Sequence, residues 1–186
     1  KAPCPMPTPD ANAPEQFLWE GRFIPAKKRG RWEYVARARN IRAAVILAVD
    51  AGKVLLVEQY RVPLGRACLE LPAGLIGDDD GSEGEDQLAA AKRELIEETG
   101  FTAREWLDMG EFVSSPGMVS ESFTLLRASG LEQVGPGGGV EGEGITVRRV
   151  QLAHITQVIA EARLRGLAVD VKLLALIGAG IVGEQV

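Results

Sequence analysis

Three glutamates, Glu94, Glu97 and Glu98, lie within one short stretch, Arg93-Glu94-Leu95-Ile96-Glu97-Glu98-Thr99-Gly100-Phe101, and Glu85 precedes Arg93 by eight positions. On a helix the three fall on one arc about 100° wide. At a surface such an edge costs only roughly 0.2–0.5 kcal/mol per i,i+4 pair, and a solvated acidic face is its ordinary meaning. In a partly buried cleft, two of these charges about 5.5 Å apart would repel by about 3 kcal/mol at an effective dielectric of 20. A divalent cation would turn that repulsion into attraction. Carboxylate and carbonyl oxygens are the hard ligands that Mg²⁺ or Mn²⁺ prefers. His154 is the only histidine and stands at the start of an expected helix, so acid–base work falls to carboxylates.

A helix must carry this edge. Asp86 suits its N-cap, residues 87–99 are strong helix formers, and Gly100 sits where a left-handed residue would end it. Leu88, Ala91, Leu95 and Thr99 form the stripe that faces a core. Before the helix, the apolar run 41–49 turns at Asp50-Ala51-Gly52 and returns over 53–60 as a central hairpin, with Arg61 at its exit. Cys68-Leu69-Glu70-Leu71 reads as a third strand. Pro72 stops it and delivers Ala73 and Gly74 to the mouth of the helix, where a backbone carbonyl could join a cation.

Beyond the helix, residues 111–114 and 123–128 read as strands on either side of Ser115-Pro116-Gly117. The Gly-rich segment 135–144 has no side chains to stiffen it and carries Glu141 and Glu143. It is either a linker or a mobile lid that brings a carboxylate over the site. A strand over 145–152, a helix over 153–165 and a final helix capped by Asp170 and running to 177 complete the chain.

At the other end, residues 1–16 hold Pro3, Pro5, Pro7, Pro9 and Pro14 and read as a disordered tail. Residues 17–40 read as two short strands joined by a basic turn containing Lys27, Lys28, Arg29 and Arg31. With Arg22, Arg37, Arg39 and Arg42, these residues concentrate positive charge. They are either solvated strand edges or a surface for an anionic ligand, with Trp32 or Phe23 to stack on a base.

The 186 residues are 46% hydrophobic, enough for one sizeable core. A net charge of −5 argues against general nucleic-acid or membrane binding. No apolar run approaches the roughly 18–20 residues that span a bilayer, and no signal peptide is recognisable. Cys4 and Cys68 make no disulfide framework, which suits a reducing cytosol. A cytoplasmic location is expected.

The pattern from Glu85 to Phe101 resembles the Nudix box, Gly-x5-Glu-x7-Arg-Glu-U-x-Glu-Glu-x-Gly-U with U apolar. Asp79 stands where the box's glycine belongs. Leu71-Pro72-Ala73-Gly74-Leu75-Ile76 resembles the usual entry, so Gly74 is the counterpart and residues 77–81 are an insertion of roughly five residues, which a surface loop tolerates at small entropic cost. Glu58-Gln59-Tyr60-Arg61, Glu70-Leu71-Pro72-Ala73-Gly74 and Pro116, sixteen residues after Gly100, are similar to the ADP-ribose pyrophosphatases within that family. Trp32-Glu33 resembles their adenine-binding segment.

That resemblance implies an α/β fold, an α/β/α sandwich around a mixed sheet, over about residues 17–182. It implies three parts: a tail over 1–16, N-terminal strands over 17–40 that serve dimerisation and adenine binding, and a hydrolase domain over 41–186. The N-terminal strands would form a meander swapped with a second copy in a homodimer. The Ala73 carbonyl, Glu94 and Glu98 would hold Mg²⁺, or Mn²⁺ in its place, with Glu97 acting through a metal-bound water. Glu85 would pair with Arg93, orient the helix and contact the metal through water. Arg37 and Arg61 would hold the diphosphate and terminal ribose, near Pro116-Gly117. Trp32 would stack on adenine with Glu33 on its edge, and Phe23 would be a second ring. Glu143, rather than Glu141, would be the base. The implied reaction is hydrolysis of ADP-ribose to AMP and ribose 5-phosphate. A hydrolase of GDP-mannose or UDP-glucose and a non-catalytic nucleotide-sensing module are the alternatives.

Overall fold

The computed structural model describes residues 9–77 and 85–176. The first half of the expected proline-rich tail, Cys4, most of the expected 77–81 insertion and the end of the expected final helix at Ile177 lie outside the described residues. The chain divides into two compact units, Lys1–Arg42 with Phe112–Phe123, and Ala43–Glu111 with Thr124–Val186.

The first unit is a three-stranded antiparallel sheet, β1 (Glu15–Glu20), β2 (Pro25–Arg29) and β3 (Trp32–Val35), in that order. The sequence predicts two strands and a basic turn here. Instead the basic run is itself the central strand, because its alternate side chains find carboxylates. Lys27 and Arg29 reach Glu15 at 2.8 and 3.3 Å on one face, and Lys28 approaches Glu33 at 3.9 Å on the other. Glu15 and Gln16 belong to β1 rather than to a tail. β1 is exposed along its whole length, with Phe17 57%, Leu18 54% and Trp19 59% accessible on alternate faces. The N–H of Val35 donates to the Met118 carbonyl and the N–H of Ser120 to the Val35 carbonyl, both at 3.0 Å. These bonds lay the 116–120 segment along β3.

The second unit is built on a mixed sheet. Its strands are β4 (Ala43–Asp50), β5 (Lys53–Arg61), β6 (Arg66–Glu70), β7 (Ala73–Leu75), β8 (Phe101–Val113), β9 (Ser122–Gln133), β10 (Thr146–Gln151) and β11 (Ala168–Val169). Their order is β11-β6-β5-β4-β9-β8, with β10 paired to β5 and β7 to β4. The β11–β6 pair is parallel, and β5 pairs antiparallel with β4, β6 and β10. The helices are α1 (Gln87–Thr99) and α2 (Ile155–Leu164). This is the α/β class on a mixed sheet that the sequence predicts.

β4 is buried at every position from Ala44 to Val49, so both of its faces are covered. Ala44, Ile46 and Ala48 on one face pack with Leu55, Leu126, Ala128 and Phe101 against Ala91 and Leu95 of α1. Truncating Leu95 to Ala would cost about 2–5 kcal/mol by the cavity it leaves. α1 has the expected ends. The Asp86 carboxylate accepts the Leu88 and Ala89 N–H groups at 3.1 and 3.3 Å, and Gly100 closes the helix at φ 74°.

β8 and β9 are much longer than expected, and residues 101–110, which the sequence does not mark as strand, extend β8 directly from the helix cap. His154 stands at the N-cap of α2. The stretch after Asp170 is 3₁₀ rather than α, with the Asp170 carboxylate accepting the Lys172 N–H at 2.7 Å. No helix among the described residues is long and apolar enough to cross a membrane.

Candidate functional site

In the second unit, α1 carries its acidic edge as the sequence predicts, graded in depth. Glu94 and Glu97 are half-buried and Glu98 is buried, 5% exposed. Arg93 is the hub that holds them. Its Nη1 donates to Glu94 at 2.8 Å and to Glu97 at 3.3 Å, and its Nε and Nη2 reach the two Glu85 oxygens at 3.4 Å. Nη2 also donates to the Leu75 carbonyl at 3.4 Å, and Glu85 accepts the Gly77 N–H at 3.2 Å. Arg93 thus offsets much of the repulsion among these carboxylates and ties the start of the 77–85 segment to the helix.

Glu98 is outside that network. Among the described residues, the one donor that reaches its carboxylate is the Ala73 N–H, at 3.0 Å to Oε2. Burial pushes its carboxyl up to about 8, the Ala73 bond opposes this, and the charges of Glu94 and Glu143 push it further, against Arg61. Ala73 thus meets Glu98 through its N–H. β7 brings Ala73 there by pairing with Val45 of β4. A Cβ on Gly74 would sit 1.9–2.2 Å from the end of the Glu94 side chain, so glycine is what admits Glu94 beside β7.

Arg61, at the end of β5, is bound two-pronged to Glu70 of β6. Nε and Nη2 each stand 2.7 Å from a carboxylate oxygen. Glu70 is 5% exposed and the Arg61 side chain 40%, so the pair presents a fixed guanidinium edge. The sequence marks Arg61 but not the partner that fixes it. Burial pushes the thiol of neighbouring Cys68 up to about 12, so it remains protonated and inert.

Glu143 accepts the Val140 N–H at 3.0 Å, while exposed Glu141 makes no hydrogen bond among the described residues. The Gly-rich segment is tied to α1 at its base. The N–H groups of Gly138 and Gly139 donate to the Glu98 and Glu97 carbonyls at 2.9 and 3.0 Å. The glycines that permit this approach are its one trace in the sequence, and they read equally well as chain freedom.

The donor set suits a hard divalent cation: a buried carboxylate held by one N–H, with further carboxylates on the same helix edge. Among the described residues no three acidic, thiol or imidazole groups converge closely enough to hold an ion by themselves. Arg93 draws Glu94 and Glu97 to itself, so those carboxylates would turn from it toward an ion.

The remaining expected residues lie in the first unit. Trp32 and Tyr34 of β3 face a cleft of about 550 Å³, lined also by Glu15, Lys27, Pro116 and Gly117. Pro116 and Gly117 thus lie beside Trp32. Glu33, on the opposite face of β3, does not line the cleft, and neither does Phe23, which is 69% exposed beneath Arg22. Arg37 donates through Nε to Glu121 at 2.5 Å. Much of the basic cluster is paired with carboxylates, Arg31 with Asp10 among them at 2.8 Å.

A NUDIX domain model matches residues 38–133. A methanol dehydrogenase activator of Bacillus methanolicus is 35% identical over 122 residues, 65% of this chain and 63% of that protein. An ADP-ribose pyrophosphatase of Bacillus subtilis is 41% identical over 108 residues, 58% of this chain and 55% of that protein. A GDP-mannose pyrophosphatase of Klebsiella pneumoniae is 30% identical over 120 residues, 60% of this chain and 58% of that protein. The chain therefore spans less than two thirds of the length of each of these relatives. Its fold is shared with a crystal structure titled ADP compounds hydrolase, at a TM-score of 0.67 and 24% identity over 88% of this chain and 89% of that one. With the box on α1 and a family match over half its length, the chain belongs to the Nudix family.

Proposed function

We propose that this chain hydrolyses the diphosphate of ADP-ribose to AMP and ribose 5-phosphate, with Mg²⁺, or Mn²⁺ in its place. The observation that carries the proposal is Glu98, a buried carboxylate with one N–H donor, pushed up by burial and by two neighbouring glutamates. A divalent cation is the partner that its charge lacks. Glu94, Glu98 and the Ala73 carbonyl would hold the ion, with Glu97 and Glu85 behind them. When bound, it would neutralise the diphosphate and lower the pKa of an attacking water.

The chain's own residues do the rest. Arg93 keeps Glu94 and Glu97 in place until they are needed. Arg61, fixed by Glu70, offers its remaining N–H groups to a phosphate oxygen. Glu143 takes the proton from the attacking water as the P–O bond breaks. In the first unit Trp32 is the ring for the adenine, with Pro116 and Gly117 lining the same cleft, and Arg37 is proposed for the diphosphate and terminal ribose. Glu33 would reach the base edge only by its backbone or by turning.

The substrate choice is supported by the name of the Bacillus subtilis relative and by the residues shared with ADP-ribose pyrophosphatases. The Klebsiella pneumoniae relative's name favours a second reading, hydrolysis of GDP-mannose. The apolar residues on both faces of β1 support a homodimer in which a second copy covers them. A cytoplasmic location accords with this chemistry.

The test is phosphatase-coupled release of phosphate from ADP-ribose, GDP-mannose and UDP-glucose with Mg²⁺. ADP-ribose should be cleaved fastest. Faster cleavage of GDP-mannose would move the substrate, and no cleavage of any would favour a nucleotide-sensing module.

A further inference from the structure

The segment that carries Glu143 is locked to the helix that carries Glu97 and Glu98, and backbone alone makes the lock. A helix leaves its last four carbonyls without an intrahelical donor. In α1 the Glu97 and Glu98 carbonyls are taken by the N–H groups of Gly139 and Gly138, at 3.0 and 2.9 Å. The Gly100 carbonyl is taken by the N–H groups of Val134 and Gly135, at 2.8 and 3.0 Å. The Ile145 N–H then returns to the Gly138 carbonyl at 3.1 Å, closing the base of a short tip that contains Glu143.

Such an approach of two backbones leaves no room for a side chain. A Cβ on Gly100 would lie 2.3 Å from the Gly135 oxygen and 2.6 Å from the Gly137 nitrogen. A Cβ on Gly137, whose φ is +66°, would lie 2.4 Å from the Thr99 carbonyl carbon and 2.7 Å from the Gly100 nitrogen. All four are main-chain atoms and cannot swing aside. Gly135 differs, since a Cβ there meets nothing within 4 Å and its φ is ordinary.

We propose that Gly100 and Gly137 are positioning residues, whose missing side chains let the Gly-rich segment clasp the last turn of α1 and so hold Glu143 in register with the acidic edge. The clasp joins the two parts at the carbonyls of the residues that bear the acidic side chains. The position of Glu143 is thereby set through two hydrogen bonds and a short span of chain. The catalytic half of this proposal rests on the reading of Glu143 as the base; the clasp does not.

Gly137→Ala and Gly135→Ala place the same methyl group in one segment, one against α1 and one in open space. Amide hydrogen exchange at Gly138 and Gly139 reads the clasp, and kcat and KM for ADP-ribose with Mg²⁺ read the position of Glu143. In Gly137→Ala, exchange should quicken at least tenfold and kcat fall about 10–100-fold with KM little changed. Gly135→Ala should alter neither. The wild type offers a check without any variant: its Gly138 and Gly139 amides should exchange far more slowly than that of Gly142, which finds no acceptor among the described residues.

Exchange at Gly138 and Gly139 as fast as at Gly142, or unchanged in Gly137→Ala, would overturn the clasp. Quickened exchange with unchanged kcat would overturn the positioning role. Were the wild type to cleave no nucleoside diphosphate sugar, the proposed activity would fall and the positioning role with it, while the exchange comparison would still decide the clasp.

Discussion

Glu15 in the first unit and Glu98 in the second are displaced in opposite directions. Glu15 is exposed on β1, where hydrogen bonds from Lys27, Tyr34 and Arg29 hold its carboxyl down to about 2. Glu98 is buried on α1, has one N–H donor and is pushed up to about 8. The first carboxylate has more positive charge and donors around it than it needs. The second has been taken from water without a counter-charge of its own. A satisfied carboxylate holds strands together and asks for no ligand. An unsatisfied one, next to Glu97 and about one turn on from Glu94, is where a cation and an anionic substrate would gain most.

The strongest break in this contrast is Glu98→Gln, which should abolish metal-dependent turnover and leave the far-ultraviolet circular dichroism spectrum unchanged. Glu143→Gln should slow hydrolysis by about 10²–10⁴-fold while Mn²⁺ affinity, read by calorimetry, stays near wild type. A near-normal rate there would move the base to Glu141. Metal-free thermal melting against pH sharpens the comparison from the stability side. The folded-state value of Glu98 lies above the ordinary 4.5, so the folded protein holds the proton more tightly. Stability should therefore be full below about 4.5 and fall as pH rises through about 8, by on the order of a few kcal/mol. Glu98→Gln should remove that slope.

In the first unit, Trp32→Ala should raise KM roughly 5–150-fold, the value of one stacked base, with kcat little changed. The smallest effect belongs to Glu15→Gln. The folded-state value of Glu15 lies below 4.5, so its contribution is present above that pH and is lost as pH falls toward about 2. The variant should melt slightly below wild type at pH 7, and the difference should close in acid.

Much of the second unit is legible in the sequence because its signals are local. Asp86 and Gly100 mark the ends of α1, the 3.6-residue period marks its buried stripe, and the unbroken apolar run over 43–49 marks a strand covered on both faces. The charged positions of α1 are equally plain. Less plain is what they touch. The Arg93 hub depends on how the side chains of α1 and Glu85 turn toward one another, and the Arg61–Glu70 pair on the register of β5 with β6. β2 is obscured because a basic run looks like a solvated turn until Glu15 lies across from it. The extra length of β8 has no single cause in its composition; its pairing with β9 extends it. Residues 135–144 show the limit best, since their glycines look like freedom and instead permit the closest backbone contact beside the acidic edge.

The central claim is that the acidic edge of α1 completes itself with a divalent cation and uses it to cleave a diphosphate. The most direct test is release of AMP from ADP-ribose, followed by chromatography, across a Mg²⁺ titration of wild type and Glu98→Gln. Wild type should release AMP and ribose 5-phosphate in proportion to bound metal, and Glu98→Gln should release neither at any Mg²⁺ concentration. Equal release by both proteins, or release by wild type that persists in excess chelator, would contradict the claim.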